Sequence, residues 1–321
     1  MIYISTGKYR RLWQCSTGRG TFSILAMDHR NNLRKALNPN NPSSVTYQEL
    51  VDFKLQVTRE LGSASRAVLL DPEYGAAQCI NVHALPGSVG LLVAVEASGY
   101  GGEITARESG ILEGWDVEKI QRMGASAVKL LVYYHLDAST SDGIEKLVEE
   151  VAGECLEYEI PLFLEILTYS IKPQQKMNPD EFHRVVIEAA NKLTIPGVDV
   201  IKVEFPLDTQ KHLPEKEWAK ACRELSSASA APWILLSASA DFETFLNQVR
   251  VACLNGASGV AVGRAVWQEA TQLVGSARVE FLSKIARERM SRITDLCAAL
   301  AKPWTDYYKP QQIVGGWYVG Y

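Results

Sequence analysis

Eight apolar runs of strand length recur along the chain, with helix-patterned segments between most of them. This alternation constrains the fold more than any other feature. The runs are Phe22–Asp28, Arg66–Asp71, Gly90–Glu96, Ala125–Tyr134, Pro161–Leu167, Val198–Phe205, Trp233–Ser239 and Ser258–Arg264. Helical periodicity marks Val45–Leu61, where Leu50, Phe53, Leu55, Val57 and Leu61 supply the apolar positions. It marks Asp142–Tyr158, Pro179–Leu193 behind an asparagine cap, Pro214–Leu225 and Phe242–Leu254 as well. Strands that alternate with helices imply parallel βαβ units, and near-continuous apolar strands imply a sheet covered on both faces. Eight such units in 321 residues predict an α/β fold, a single-domain (β/α)8 TIM barrel. A doubly wound open sheet is the alternative, but no glycine fingerprint of a dinucleotide site follows the first run. Ser98-Gly99-Tyr100-Gly101-Gly102 is glycine-rich without a helix opening after it, so it is read as a loop. No linker, repeat or low-complexity stretch divides the chain. The barrel is set at residues 1–302, its last helices at roughly Ala277–Leu300, and residues 303–321 form a Pro- and aromatic-rich tail.

Composition excludes several function classes. A net charge of −4, with no Lys/Arg cluster interleaved with aromatics, gives no footprint for nucleic acid. No apolar run is long enough to span a bilayer, and the first residues lack a signal-peptide core. The six cysteines are scattered without a CxxC, as expected of reduced, packed residues in the cytoplasm. The five histidines show neither HxxxH nor HExxH spacing, which argues against a histidine-based zinc site. No metal or other cofactor is expected, and no nucleic-acid or membrane partner; the expected setting is a cytoplasmic homo-oligomer.

One strand carries an anomaly. In Val198-Asp199-Val200-Ile201-Lys202-Val203-Glu204-Phe205 a lysine sits inside a β-branched run, where burial costs several kcal/mol unless the charge is paired or removed. Period-two geometry puts Val198, Val200, Lys202 and Glu204 on one face. A structural Lys–Glu pair is one reading; a desolvated amine that attacks a carbonyl to form a Schiff base is the other. The remaining runs favour the second. In a barrel, polar residues at the C-terminal strand ends read as catalytic. Here the ends carry Asp28 and Arg30, Asp71, Glu96, Lys129, Glu165, Lys202 and Glu204, Ser237 and Ser239, then Gly263 and Arg264.

Two lysines about 6 Å apart at an effective dielectric of about 20 repel by roughly 2.8 kcal/mol, about two pKa units. Desolvation acts in the same direction, so one amine is expected to be neutral near pH 7 and the other to remain cationic. Lys202, flanked by Ile201 and Val203 and facing Glu204, is the candidate nucleophile, and Lys129 the retained cation. Glu165, in a strand as apolar as any, is expected to have a raised pKa and to shuttle protons; a salt-bridge role is its bland alternative. Asp28 is a candidate base for the hydroxyl whose deprotonation drives C–C cleavage. Ser237, Ala238 and Ser239, which lead into a helix start, with Gly263 and Arg264, suggest a phosphate cradle at the last two strands.

These residues resemble the tagatose-1,6-bisphosphate aldolase family of class I, Schiff-base aldolases. The resemblance rests on Leu69-Leu70-Asp71-Pro72-Glu73-Tyr74-Gly75, Ala127 through Tyr134, Phe163 through Tyr169, Asp199 through Glu204, Leu235 through Ala238 and Gly263-Arg264-Ala265-Val266-Trp267, in order along the chain. It implies a metal-free (β/α)8 barrel that cleaves a ketohexose bisphosphate into dihydroxyacetone phosphate and glyceraldehyde 3-phosphate. It also implies Lys202 as the imine lysine, Glu165 as acid/base, Asp28 and Lys129 as polar partners, and Ser237, Gly263 and Arg264 as phosphate ligands.

Two positions depart from the family. His29 stands where the family usually has glutamine, and is expected to face away from Asp28. Ser239 stands where it usually has glycine, which changes the room or the donors at the anion site. Ala231 through Ser237 and Gly256-Ala257-Ser258-Gly259 also resemble the related sulfofructose-1-phosphate aldolases. Two further classes stay open from the residues alone. One is a magnesium-dependent lyase on Asp71, Glu96, Glu165 and Glu204, which the neighbouring lysines disfavour; the other is a non-catalytic sugar-phosphate sensor.

Overall fold

A computed structural model describes residues 2–208, 214–238, 240–319 and 321. Eight parallel strands close into a barrel: β1 (Phe22–Met27), β2 (Ala67–Leu70), β3 (Gly90–Ala94), β4 (Ala127–Tyr134), β5 (Leu162–Thr168), β6 (Val198–Val203), β7 (Trp233–Leu236) and β8 (Gly259–Val262). They follow chain order around the wall, and β8 pairs back onto β1. Each expected run contains one strand. Most strands end short of the run: Asp28, Asp71 and Glu96 lie beyond the last strand residue, and Arg264 opens the short helix Arg264–Trp267 at the C-terminal mouth. The closing seam needs a glycine. Gly259 has φ +141°, and a Cβ there would lie 1.9 Å from the Phe22 carbonyl oxygen.

The helices form where periodicity and caps coincide. Tyr47–Leu61 starts at a capping box made by Thr46 and Glu49. Pro179–Leu193 is capped by Asn178 and Phe242–Leu254 by Asp241. Ser141–Glu157 and Glu215–Ala228 complete the main outer helices between strands. The last helical stretch, Gly275–Leu300, is longer than expected by two residues and has a π-helical segment at Phe281–Ala286.

Strand alternation sorts the side chains into two cores. Val128, Leu130, Val132, Leu164, Ile166, Ile201 and Val203 face outward and pack with residues of the helices. Phe22, Ile24, Leu69, Leu92, Phe163, Val200 and Ile234 fill the barrel interior, with the Phe22 and Phe163 rings edge-to-face at 5.4 Å. Leu12 and Cys15 join this inner core from the N-terminal segment, and Trp304 and Tyr308 join it from the residues after 302. Ile2–Ile4 pairs in parallel with Tyr308–Pro310, so the two chain termini together floor the barrel.

The Ser98–Gly102 segment is a loop only in part. Gly101–Glu103 pairs antiparallel with Ala106–Glu108, forming a hairpin after β3. These two three-residue strands, one exposed and the other half-buried, carry no hydrophobic alternation in the sequence.

Candidate active site

At the C-terminal mouth lies a cavity of about 680 Å³. Asp28, Arg30, Lys129, Glu165, Lys202, Ser237, Ala238, Gly263 and Arg264 all line it. Ser239 lies outside the described residues. Alternation explains how β4, β5 and β6 supply the centre: Lys129, Leu131 and Tyr133, then Glu165 and Leu167, then Lys202 point inward between residues that face the helices.

The centre is a carboxylate held between two buried ammoniums. Glu165 and Lys202 are register partners across β5 and β6. Glu165 Oε2 is 2.8 Å from Lys202 Nζ and 3.0 Å from Lys129 Nζ. Lys129 Nζ also donates to Asp28 Oδ2 at 2.7 Å and to Glu96 Oε1 at 2.6 Å, so two carboxylates accept from it and the Glu165 carboxylate completes an ion-pair cluster around it. Burial by itself would lower the pKa of Lys129, but Asp28, Glu165 and Glu96 outweigh it and raise that pKa well above the ordinary value. The mutual depression expected of two lysines is therefore absent at Lys129, because a carboxylate bridges the pair.

Glu165 departs from expectation in the same way. Burial pushes its pKa up, yet the charges of Lys129 and Lys202 together hold it below the usual carboxylate value. Burial also works against Asp28 as an anion, and Lys129 with Lys202 keeps its carboxyl far below that range. Both groups are carboxylates at neutral pH.

Glu204 does not pair with Lys202. The β6 ladder stops at Val203, and beyond it Glu204 Oε2 accepts from the Thr168 backbone N–H at 2.9 Å and the Thr168 hydroxyl at 2.7 Å. Burial raises its pKa, the Thr168 bonds oppose this, and the charge of Glu165 adds to the rise.

His29 does not turn away from the site. Its ring lines the cavity, with Nδ1 3.8 Å from Asp28 Oδ1, and meets Trp267 edge-on at 5.2 Å. Burial pushes its pKa down to about 4, Asp28 opposes this, and the positive charges of Arg264, Lys202 and Lys54 add to it.

Arg30 spans two loops, with Nη1 donating to Glu73 Oε2 at 2.8 Å and Nη2 to the Glu96 carbonyl at 2.6 Å. Arg264 stands differently. Among the described residues its guanidinium has neither a hydrogen-bond nor an ion-pair partner, and burial pushes its pKa below the ordinary value. Beside it the chain turns at Ala238 with φ +40°, a left-handed conformation uncommon outside glycine.

Asp71, grouped with the strand-end residues by position, does not reach the cavity. Its Oδ2 accepts from Lys54 on helix Tyr47–Leu61, and its Oδ1 accepts from the Tyr74 backbone at 2.8 Å. The four carboxylates considered for magnesium therefore do not converge. Among the described residues no group of three or more His, Cys, Asp or Glu side chains is placed to hold a metal ion. Glu96, read from the sequence only as a strand-end carboxylate and an alternative magnesium ligand, is a direct partner of Lys129, and Tyr133, which lines the cavity, had no role in that reading. Tyr133 lies four residues after Lys129 on the same strand face, and that spacing was the signal available.

A family model described as DeoC/LacD family aldolase matches residues 22–269. The chain belongs to that family. The aldolase is a carbon–carbon lyase of class I, and its family implies a sugar-phosphate substrate. It is 30% identical over 330 residues to tagatose 1,6-diphosphate aldolase 2 of Streptococcus mutans serotype c, a match that covers 95% of this chain and 98% of that one. It is 29% identical over 325 residues to tagatose 1,6-diphosphate aldolase 1 of Streptococcus pyogenes serotype M1, covering 94% of this chain and 98% of that one. Solved structures share the aldolase's fold. An archaeal fructose 1,6-bisphosphate aldolase superposes with a TM-score of 0.60 at 20% identity, covering 90% of this chain and 99% of that one. A fructose-bisphosphate aldolase from Slackia heliotrinireducens gives 0.65 at 16% identity, covering 92% and 89%.

Proposed function

We propose that the enzyme cleaves a ketohexose 1,6-bisphosphate of the tagatose type to dihydroxyacetone phosphate and glyceraldehyde 3-phosphate, through a Schiff base on Lys202. The observation that carries this reading is Glu165 Oε2, shared at 2.8 Å and 3.0 Å by two buried lysines. An ammonium in contact with a carboxylate can pass it a proton as substrate enters, which frees the amine to attack the C2 carbonyl. Loss of water gives an iminium, with Glu165 returning the proton to the leaving oxygen. The iminium draws electrons as the C4 hydroxyl loses its proton to Asp28 and the C3–C4 bond breaks. Glyceraldehyde 3-phosphate departs, the enamine is protonated at C3, and water releases dihydroxyacetone phosphate from Lys202. Throughout, Lys129 remains a cation and steadies the carboxylates and the substrate hydroxyls. Arg264, with no hydrogen-bond or ion-pair partner among the described residues, takes the phosphate of the ketone half together with Ser237, Ala238 and Gly263. The tagatose bisphosphate assignment is supported by the names of the streptococcal relatives.

Borohydride tests the core of this proposal. Added with dihydroxyacetone phosphate, it is expected to inactivate the enzyme and leave a reduced adduct on Lys202, located by peptide mass spectrometry. An adduct on Lys129, or none at all, would sink the assignment.

A further inference from the structure

A second cavity, of about 880 Å³, adjoins the catalytic one and shares Glu204, Leu236, Ser237 and Ala238 with it. Arg107, on the hairpin after β3, lines this second space and not the first. Three tyrosine rings surround its guanidinium, with centroids 4.5 Å away for Tyr100, 5.2 Å for Tyr133 and 4.8 Å for Tyr169. Its backbone N–H donates to the Tyr169 hydroxyl at 3.2 Å, and Nε donates to the Ile104 carbonyl at 3.2 Å. Among the described residues the two terminal nitrogens have no hydrogen-bond partner, and no carboxylate pairs with the group. A guanidinium donates in its own plane, so aromatic contacts hold the group while leaving its N–H edge for a ligand. Tyr100 and Tyr133 also line the catalytic cavity, so the cage stands at the passage between the two spaces.

The charges divide to match. Arg264 borders the catalytic cavity but not the second one, and Arg107 the reverse. A substrate with an anion at each end can use one such cation in each of two adjoining cavities. We propose that the second cavity receives the anionic end of the aldehyde-forming half of the substrate, and that Arg107 is the residue that binds it. The ligand class is a three-carbon aldehyde with a phosphate or a sulfonate at its far carbon. This inference rests on the Schiff-base reading of Lys202, which lines the catalytic cavity with Arg264.

The test is the condensation reaction of dihydroxyacetone phosphate with three aldehydes: glyceraldehyde 3-phosphate, 3-sulfolactaldehyde and glyceraldehyde. The quantity read is the ratio of kcat/KM for a charged aldehyde to that for glyceraldehyde, in the wild type and in Arg107→Gln. For the anion that fits, the ratio is expected to fall about 30- to 5,000-fold, the range for removing one partner of a desolvated charge pair. Whichever of phosphate and sulfonate shows the larger fall is the group the cavity fits. If Arg107→Gln does not fold, Arg107→Lys is read in the same way; a point charge in place of the fork should lower the ratio about 10-fold. An unchanged ratio overturns the proposal, because Arg107 then only secures the hairpin. A wild-type enzyme that forms no reducible adduct on Lys202 overturns the catalytic reading instead.

Discussion

A glutamate in an apolar strand should titrate high, and Glu165 does not, because two ammoniums lie within 3.0 Å of one of its oxygens. The run Phe163 through Leu167 made its burial legible. Its neighbours come from strands 36 and 37 residues away in sequence, and no local pattern encodes the sign of their combined field. His29 shows the same limit, since alternation suggested that it faces away from Asp28 while the loop after β1 brings it back over the cavity. A prediction follows from its burial. In the unfolded chain His29 takes a proton near 6.5, and in the fold it stays neutral until about pH 4. Between those values the unfolded state binds more protons, so stability falls as the pH drops from 6.5 toward 4. His29→Gln removes that contribution while keeping a polar side chain of similar reach. Urea unfolding at pH 7 and at pH 4.5 should show the wild type losing roughly 2 kcal/mol more than the variant over the interval. Equal losses would mean that His29 accepts its proton freely in the fold.

At the scale of elements, the strands and most main helices were legible because period-two runs and capped amphipathic segments are local signals. Which charged residue at a strand end reaches the cavity was not. Asp71 closes its run much as Asp28 does, yet Lys54, rising from helix Tyr47–Leu61, claims it; both side chains are fully buried, and Lys54 Nζ also donates to the Met27 carbonyl at 2.6 Å. This pair ties a helix to the first two strands. Lys54→Met should lower stability by about 3–5 kcal/mol, because Asp71 is left as an uncompensated buried charge. The double variant Lys54→Met/Asp71→Asn should recover a large part of that loss, since the amide still accepts from the Tyr74 backbone and no charge remains. Denaturant titration of both proteins decides. A single variant as stable as the wild type, or a double variant no better than the single, would show that the pair does not anchor the helix.

Taken whole, the molecule separates its chemistry from its foundation. The mouth concentrates buried charge around Lys129, Glu165 and Lys202, whereas the opposite end is mainly apolar and aromatic and holds the buried Lys8–Asp199 ion pair at 2.7 Å. The aromatic composition of residues 303–321 was plain in the sequence, but its partners were not, because Tyr308–Pro310 pairs with Ile2–Ile4 from the other end of the chain. Trp304 is the centre of that floor. It is fully buried, its indole N–H donates to Ser16 Oγ at 3.1 Å, and its ring meets Tyr9 and Trp13 edge-on at 5.2 Å and 5.1 Å. Trp304→Ala removes a fully buried indole from the floor, leaves the Ser16 hydroxyl without that donor and opens a cavity that the closed barrel above cannot collapse to fill. A loss of about 3–5 kcal/mol is the usual cost of such a truncation, and for a chain of 321 residues it should lower Tm by roughly 4–7 °C. None of the removed contacts touches the mouth. At a temperature well below both unfolding midpoints, borohydride with dihydroxyacetone phosphate should therefore label Lys202 to the same extent in the variant as in the wild type. The pair of measurements can fail in two ways: an unchanged Tm would mean that Trp304 does not carry the floor, and a lost adduct in a folded variant would mean that the two ends of the barrel are coupled.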